Sequence, residues 1–454
     1  MKYYSTNRGM ADHGVLALLY ATLAITPFAY WGEVSALISG GADSALTISS
    51  SKYMVIFKNM IVPLMIVFSF INWMHNDRNK KGKYIFLLLI AILCPLLLSQ
   101  HSNTLLFIAG IRWIAPLFLL ILLVGVITKR ELYYATIGVC IIFFLQISMQ
   151  IYETIYAPHW YGTIIGTTLS SRAPGLFSNP NTASIFSCLS FIMVYRFLGL
   201  ENPLSKVVLI LAPLSVFITL SGTGLLAMMV MLISVLLRDK WRILFPLTLI
   251  VSVLIVQTVI PVLRGGDSYI DSSVMARGAM FMNAATGGEE PESESDSDSL
   301  KGFNIKTYIN EEIMTISVPE WFLATDVSKL MGVTEEKIAL SPLLFGQGFG
   351  AGTNGCALIA HNFSTKLPCI VSDALYTQLL INIGWMGAAI IIFPFVMMLF
   401  YAFIFNNKAM FFVLLLAAIS ALNNTMLEAF PMNVLVPVLL AFWLHEKNKK
   451  TSCG

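Results

Sequence analysis

The residues of this chain best suited to chemistry lie in a polar stretch from Arg264 to Asp373. It ends in Pro342-Leu-Leu-Phe-Gly-Gln-Gly-Phe-Gly-Ala-Gly352, then His361-Asn362, then Ser372-Asp373. Glycines at alternate positions, Gly346, Gly348 and Gly350, have two readings: a tightly turned loop, or a nest of backbone N–H groups that accepts an anionic phosphate oxygen. A dinucleotide fingerprint is excluded, because the run lacks the strand that must precede it. His361 and Asp373 are the candidate general bases for taking a proton from a hydroxyl. Each has a plainer alternative, a structural loop histidine for His361 and a helix N-cap for Asp373. Arg264 and Arg277 offer fixed positive charge in a geometry suited to phosphate. The stretch carries 7 Lys and Arg against 15 Asp and Glu, so any phosphate site within it must be local.

A second polar stretch, Ser171-Arg-Ala-Pro-Gly-Leu-Phe-Ser-Asn-Pro-Asn-Thr-Ala183, precedes an apolar run. Arg172 is its only basic residue, and Asn181 or Thr182 is placed to cap the following helix. A turn with a solvated arginine accounts for Asn181 but not for Arg172, Pro174, Gly175 and Pro180 occurring together. The alternative makes Arg172 and Asn181 contacts for an anionic or glycan substrate. Arg112 lies inside the apolar Ile111-Arg-Trp-Ile. An arginine there is costly in a membrane, so it is expected to face the bundle interior, supporting a lipid diphosphate or pairing with a carboxylate such as Glu428. Snorkelling toward the surface is the alternative for Arg112, and it is the expectation for Lys58 near the start of its own span.

These groups need a frame, and composition says of what kind. With 57% hydrophobic and only 12% charged residues, and a mean hydropathy of +0.77, the chain is an all-α polytopic membrane protein. The net charge of +3 is small and scattered in short clusters at the ends of apolar runs, so it gives no sign of nucleic acid, and no nucleic-acid partner is expected. Apolar runs of about 15–25 residues suit helices crossing a hydrocarbon core of about 30 Å. They fall near 14–32, 54–73, 84–99, 104–127, 132–152, 183–199, 204–220, 222–238, 243–263, 375–402, 409–423 and 427–444, about 12 transmembrane helices. The first is read as uncleaved, since no small-residue cleavage pattern follows it. Lys and Arg gather in short cytoplasmic loops. With both termini cytoplasmic, the inner loops hold Arg78, Lys80, Lys81, Lys83, Lys129, Arg130, Arg196, Lys206, Arg238, Lys240, Arg242 and Lys408. The outer loops, apart from the long polar stretch, hold only Lys52 and Arg172. Residues 264–373 are therefore expected outside, as a large periplasmic loop between spans 9 and 10.

The expected organisation is spans 1–9 in residues 1–263, the loop 264–373, spans 10–12 in residues 374–445 and a tail 446–454. Residues 287–299 (GGEEPESESDSDS) are acidic, Ser-rich and too polar to bury a core, so they read as a disordered insert. Tyr308 to Leu340 alternates apolar and polar residues and suits either amphipathic helices on the membrane surface or a small packed subdomain. Of six cysteines, Cys356 and Cys369 are both extracytoplasmic and flank His361, so they are the disulfide candidates. They are too few for a metal site.

Arg172-Ala-Pro-Gly-Leu-Phe-Ser-Asn-Pro-Asn181 before a span resembles a signature of the O-antigen polymerase (Wzy) and O-antigen ligase superfamily. The Ser221-Gly-Thr-Gly224 turn, the late periplasmic loop, and Pro342 to Gly350 ahead of a span containing Gly384 resemble the rest. The resemblance covers most of the chain. It implies a GT-C-like glycosyltransferase of the bacterial inner membrane, using undecaprenyl-diphosphate-linked glycans, with no metal or other cofactor and with a chain-length regulator as a candidate partner. It also implies a catalytic loop arginine at Arg277. The diphosphate and glycan are then expected near Arg172, Arg264, Arg112, Asn181, Gly346, Gly348 and Gly350. Eleven positions between His361 and Asp373 make the pattern more like a polymerase than a ligase. A ligase that transfers lipid-linked polysaccharide to lipid A-core is the alternative. A flippase also suits twelve spans, but the chain has no visible internal repeat. A scaffold leaves the grouped Arg, Gly and His unexplained.

Overall fold

Backbone groups in lipid find no water, so each apolar run must close its hydrogen bonds internally, and helices result. The computed structural model describes residues 10–30, 34–35, 38, 52–76, 85–86, 89–90, 104–158, 172–177, 179–237, 240–263, 315–317, 337–339, 346, 348–353, 356, 374–421 and 429–451. Within these the fold is helical: α1 Met10–Ile25, α2 Lys52–Asn76, α3 Thr104–Leu123, α4 Lys129–Tyr156, α5 Pro180–Met193, α6 Pro203–Ile218, α7 Gly222–Leu236, α8 Trp241–Leu263, α9 Leu375–Ile404, α10 Lys408–Ser420 and α11 Met432–Thr451. Seven helical stretches among the described residues are long and apolar enough to cross a membrane, and Pro203–Ile218, Gly222–Leu236, Lys408–Ser420 and Met432–Glu446 are shorter apolar helices. The span expected at 84–99 lies largely outside the described residues.

Local chemistry sets the helix starts. Thr128 and Glu131 form a reciprocal capping box ahead of α4, with Thr128 N–H donating to Glu131 Oε2 at 2.6 Å. Asn179 and Asn202 cap α5 and α6, each followed by a proline whose missing N–H would have had no partner there. Hydroxyls inside the spans turn back on their own helix, as Thr26 does to the Thr22 carbonyl at 2.7 Å.

The chain divides into two compact units: Met1–Gly82, Ala115–Asp271 and Phe395–Gly454 form one, Lys83–Ile114 and Ser272–Pro394 the other. Residues 272–373 of the loop expected at 264–373 thus share a unit with residues 83–114 and 374–394. In the first unit α5 is central, packed against α4, α6, α7 and α10. Its apolar window is 78% buried, against 17% for that of α8, so α5 touches protein on nearly every side. Small residues allow this. A Cβ on Gly224 of α7 would stand 2.4 Å from Ser184 Cβ and Oγ of α5, so only glycine admits that approach. Asn72 of α2 donates to Asp12 of α1 at 2.6 Å, which fixes their antiparallel register. At the start of α8, Trp241 packs against Phe245, Phe403, Phe411 and Phe412 and donates Nε1–H to Asn406 Oδ1 at 2.6 Å.

The second unit contains a ladder that departs from the helical reading of Tyr308 to Leu340. Thr315–Ser317 (β1) and Lys337–Ala339 (β2) pair antiparallel, with Ile316 opposite Ile338. Each strand centres on a β-branched residue between short or polar neighbours, a pattern that suits a pleated ribbon as well as a helix face. The acidic insert at 287–299 lies outside the described residues.

Candidate functional site

Three buried polar residues of α4, Gln146, Gln150 and Glu153, follow the i, i+4, i+7 spacing of one helix face. The segment Arg172 to Phe177 lies across that face as a strap, held through its main chain. Gln146 Nε2 donates to the Pro174 carbonyl at 2.8 Å, and Leu176 N–H donates to Gln146 Oε1 at 2.7 Å. Gln150 Nε2 donates to the Ala173 carbonyl at 3.2 Å, and Gly175 N–H to Glu153 Oε2 at 3.0 Å. The strap can lie this close because Gly175 has φ +65° and no Cβ, which would meet Gln150 Cγ at 2.8 Å and the Gln146 carbonyl at 2.9 Å.

The strap delivers Arg172 to the place where three helix ends meet. Its Nε donates to the Thr219 carbonyl, just past α6, at 3.2 Å. Its Nη2 donates to Asn181 Oδ1, in the first turn of α5, at 3.1 Å. Asn181 Oδ1 also accepts from Ser221 Oγ at 2.8 Å, and Ser221 caps α7. A guanidinium is therefore fixed beside the N-terminal ends of two helices, where partial positive charge gathers. That arrangement suits an anion. At the far end of the strap, Phe177 meets Phe186 at a tilt, ring centroids 5.1 Å apart, and Tyr30 edge-on at 6.2 Å between centroids. The Lys58 Nζ lies 4.4 Å over the Tyr30 ring.

In the second unit the glycine run packs against helix backbone. A Cβ on Gly350 (φ +104°) would stand 2.0 Å from the Leu106 carbonyl of α3, and one on Gly346 (φ +86°) 2.8 Å from the α9 backbone at Asn382 and Ile383. Gly352 N–H donates to Asn382 Oδ1 at 2.8 Å, while Ala351 and Thr353 donate to the Gly348 and Gly350 carbonyls. Those three N–H groups are already engaged, so a phosphate nest in this loop would rest on Gly346, Gly348 and Gly350. The same α9 segment departs from helical geometry at Gly384 (φ 61°, ψ −174°). Trp113 Nε1 donates to Gln378 Oε1 at 2.8 Å, and Asn382 Nδ2 and Thr377 Oγ1 are buried without a partner among the described residues.

Of the expected site residues, the structure brings Arg172 and Asn181 into direct contact. Arg112 is half-buried on α3, in the unit of Gly346, Gly348 and Gly350. His361, Asp373, Arg264, Arg277, Cys369 and Glu428 lie outside the described residues. Cys356 is buried and disulfide-bonded, to a partner outside them. Sequence reasoning missed Gln146, Gln150 and Glu153, although their spacing on an otherwise apolar span was a readable signal. Comparison with protein-family models, with curated proteins and with solved structures gives no match for this chain.

Proposed function

We propose that this chain joins undecaprenyl-diphosphate-linked oligosaccharide repeat units into O-antigen or a related surface polysaccharide, as a metal-independent glycosyltransferase of the O-antigen polymerase type. The reading places it in the bacterial inner membrane with about twelve crossings, a GT-C-like architecture, cytoplasmic termini and a periplasmic active face. One observation supports it above the others: Arg172 is fixed by Asn181 and Thr219 where α5 and α7 begin. In such a transfer an acceptor hydroxyl attacks the anomeric carbon of the donor, and the bond from that carbon to the diphosphate oxygen breaks. Negative charge gathers on the departing diphosphate. A preset guanidinium and two helix N-termini stabilise that charge without reorganising. The hydroxyl proton passes to a base, for which His361 and Asp373 are the candidates.

The test is the surface polysaccharide of a strain lacking this protein. Core lipid carrying a single repeat unit supports a polymerase. A bare core with free lipid-linked polymer would indicate the ligase, and lipid-linked repeats retained in the cytoplasm a flippase. Restoring the strain with R172A should leave the single-repeat pattern; normal chain lengths with R172A would remove Arg172 from the site.

A further inference from the structure

Nothing so far explains why a membrane helix buries Gln146, Gln150 and Glu153. Leucine at these positions would avoid the desolvation of an amide or a carboxyl. Glu153 is the sharpest case: it is 1% exposed, and its Oε1 has no hydrogen-bond partner among the described residues while Oε2 accepts from Gly175 N–H.

All three side chains bond the strap through its main-chain N–H and carbonyl groups. They therefore set where the strap lies, whatever side chains it bears. The same network reaches the other support of Arg172. Gln150 Oε1 accepts from Ser215 Oγ at 2.6 Å, and Ser215 sits one turn before Thr219, with Thr219 N–H donating to the Ser215 carbonyl at 3.3 Å. Ser215 Oγ also lies 2.7 Å from Ser187 Oγ on α5, the helix that carries Asn181. The strap, the Thr219 carbonyl and Asn181, all of which fix the guanidinium, are thus referred to one face of α4.

We propose that Gln146, Gln150 and Glu153 are positioning residues that hold the strap and so set the Arg172 guanidinium for an anionic lipid diphosphate, Glu153 acting through its bond to Gly175. This rests on the reading of Arg172 given above. Glu153 does not touch the diphosphate. Its function is geometric, which separates it from a second charged contact.

The experiment titrates full-length protein in lipid nanodiscs with undecaprenyl diphosphate. R172A and E153L should each weaken binding on the order of tenfold to hundredfold, the range for residues that orient a contacting group. E153Q keeps an acceptor for Gly175 N–H and should rescue binding to within about threefold. R172A/E153L should bind no more weakly than R172A alone, because a displaced strap costs nothing further once the guanidinium is gone. Gly175→Ala, which pushes the strap off α4 without altering Glu153, should match E153L, and it decides the matter if E153L fails to assemble. Wild-type binding by E153L or Gly175→Ala beside a weak R172A would overturn the positioning role and leave the reading of Arg172 standing. So would additive losses in the double variant, or E153Q as weak as E153L. Wild-type binding by R172A would overturn both.

Discussion

The Arg172 guanidinium donates to Asn181 Oδ1 at 3.1 Å, and the same oxygen accepts from Ser221 Oγ at 2.8 Å. One amide oxygen thus ties the strap to the starts of two helices. Asn181→Leu removes both bonds and leaves donors to be desolvated, at a cost of about 1–3 kcal/mol. Asn181→Asp keeps the acceptor and should retain most of that stability. Thermal unfolding of the purified variants checks the order, and polymer length in the restored strain should fall with Leu.

Gly350 and Gly199 both have positive φ but differ in surroundings. Gly199 (φ +80°, ψ 164°) has nothing within 4 Å of an added Cβ, so Gly199→Ala should cost only the backbone strain, about 1–3 kcal/mol. Gly350→Ala adds a clash with the Leu106 carbonyl, where overpacking costs a further 1–3 kcal/mol or so. Unfolding midpoints of the two variants should separate clearly, and equal shifts would contradict the contact.

Trp113 is fully buried and its indole N–H donates to Gln378. Trp113→Phe keeps an aromatic ring but loses that bond and some volume, for a loss of about 1–3 kcal/mol. Adding Gln378→Leu should restore part of it, which a double-mutant cycle measures.

Arg196 and Glu446 approach to 3.3 Å with side chains 36% and 38% exposed. An ion pair so open to solvent contributes less than about 1 kcal/mol. A cycle with Arg196→Ala and Glu446→Gln should give a coupling within that limit, shrinking as salt is raised.

Cys356 is disulfide-bonded, whereas Cys140 and Cys188 are free and buried. Cys356→Ser should cost about 2–4 kcal/mol, and adding reductant should lower the unfolding midpoint of the wild type but not of the variant. A thiol reagent should reach Cys140 and Cys188 only on unfolding.

The membrane class and the positions of α1 to α11 were legible because apolar run length is a direct consequence of bilayer thickness. The pairing of Arg172 with Asn181 was half legible: composition marked both residues, but only the strap's path across α4 shows how they meet. Gln146, Gln150 and Glu153 share a face by their spacing, yet spacing does not say what the face meets. The glycine run suggested a phosphate cradle because glycine lets any backbone approach closely; here the approaching backbones include those of α3 and α9. The contact of Lys58 with the Tyr30 ring was not legible, because Tyr30 lies in a turn 28 residues earlier and spacing along one span does not show it.

The break at Gly384 divides α9 by thickness. At about 1.5 Å per residue, Leu375 to Ile404 would measure about 45 Å, well beyond a hydrocarbon core of about 30 Å. Residues 385 to 404 alone measure about 30 Å and contain no charged or amide side chain. One crossing therefore needs only the part after the break. Thr377, Gln378 and Asn382 precede it, and all three are buried within the protein. The polar side chains of α9 thus lie in the part that one crossing leaves over, and they face protein rather than lipid or water.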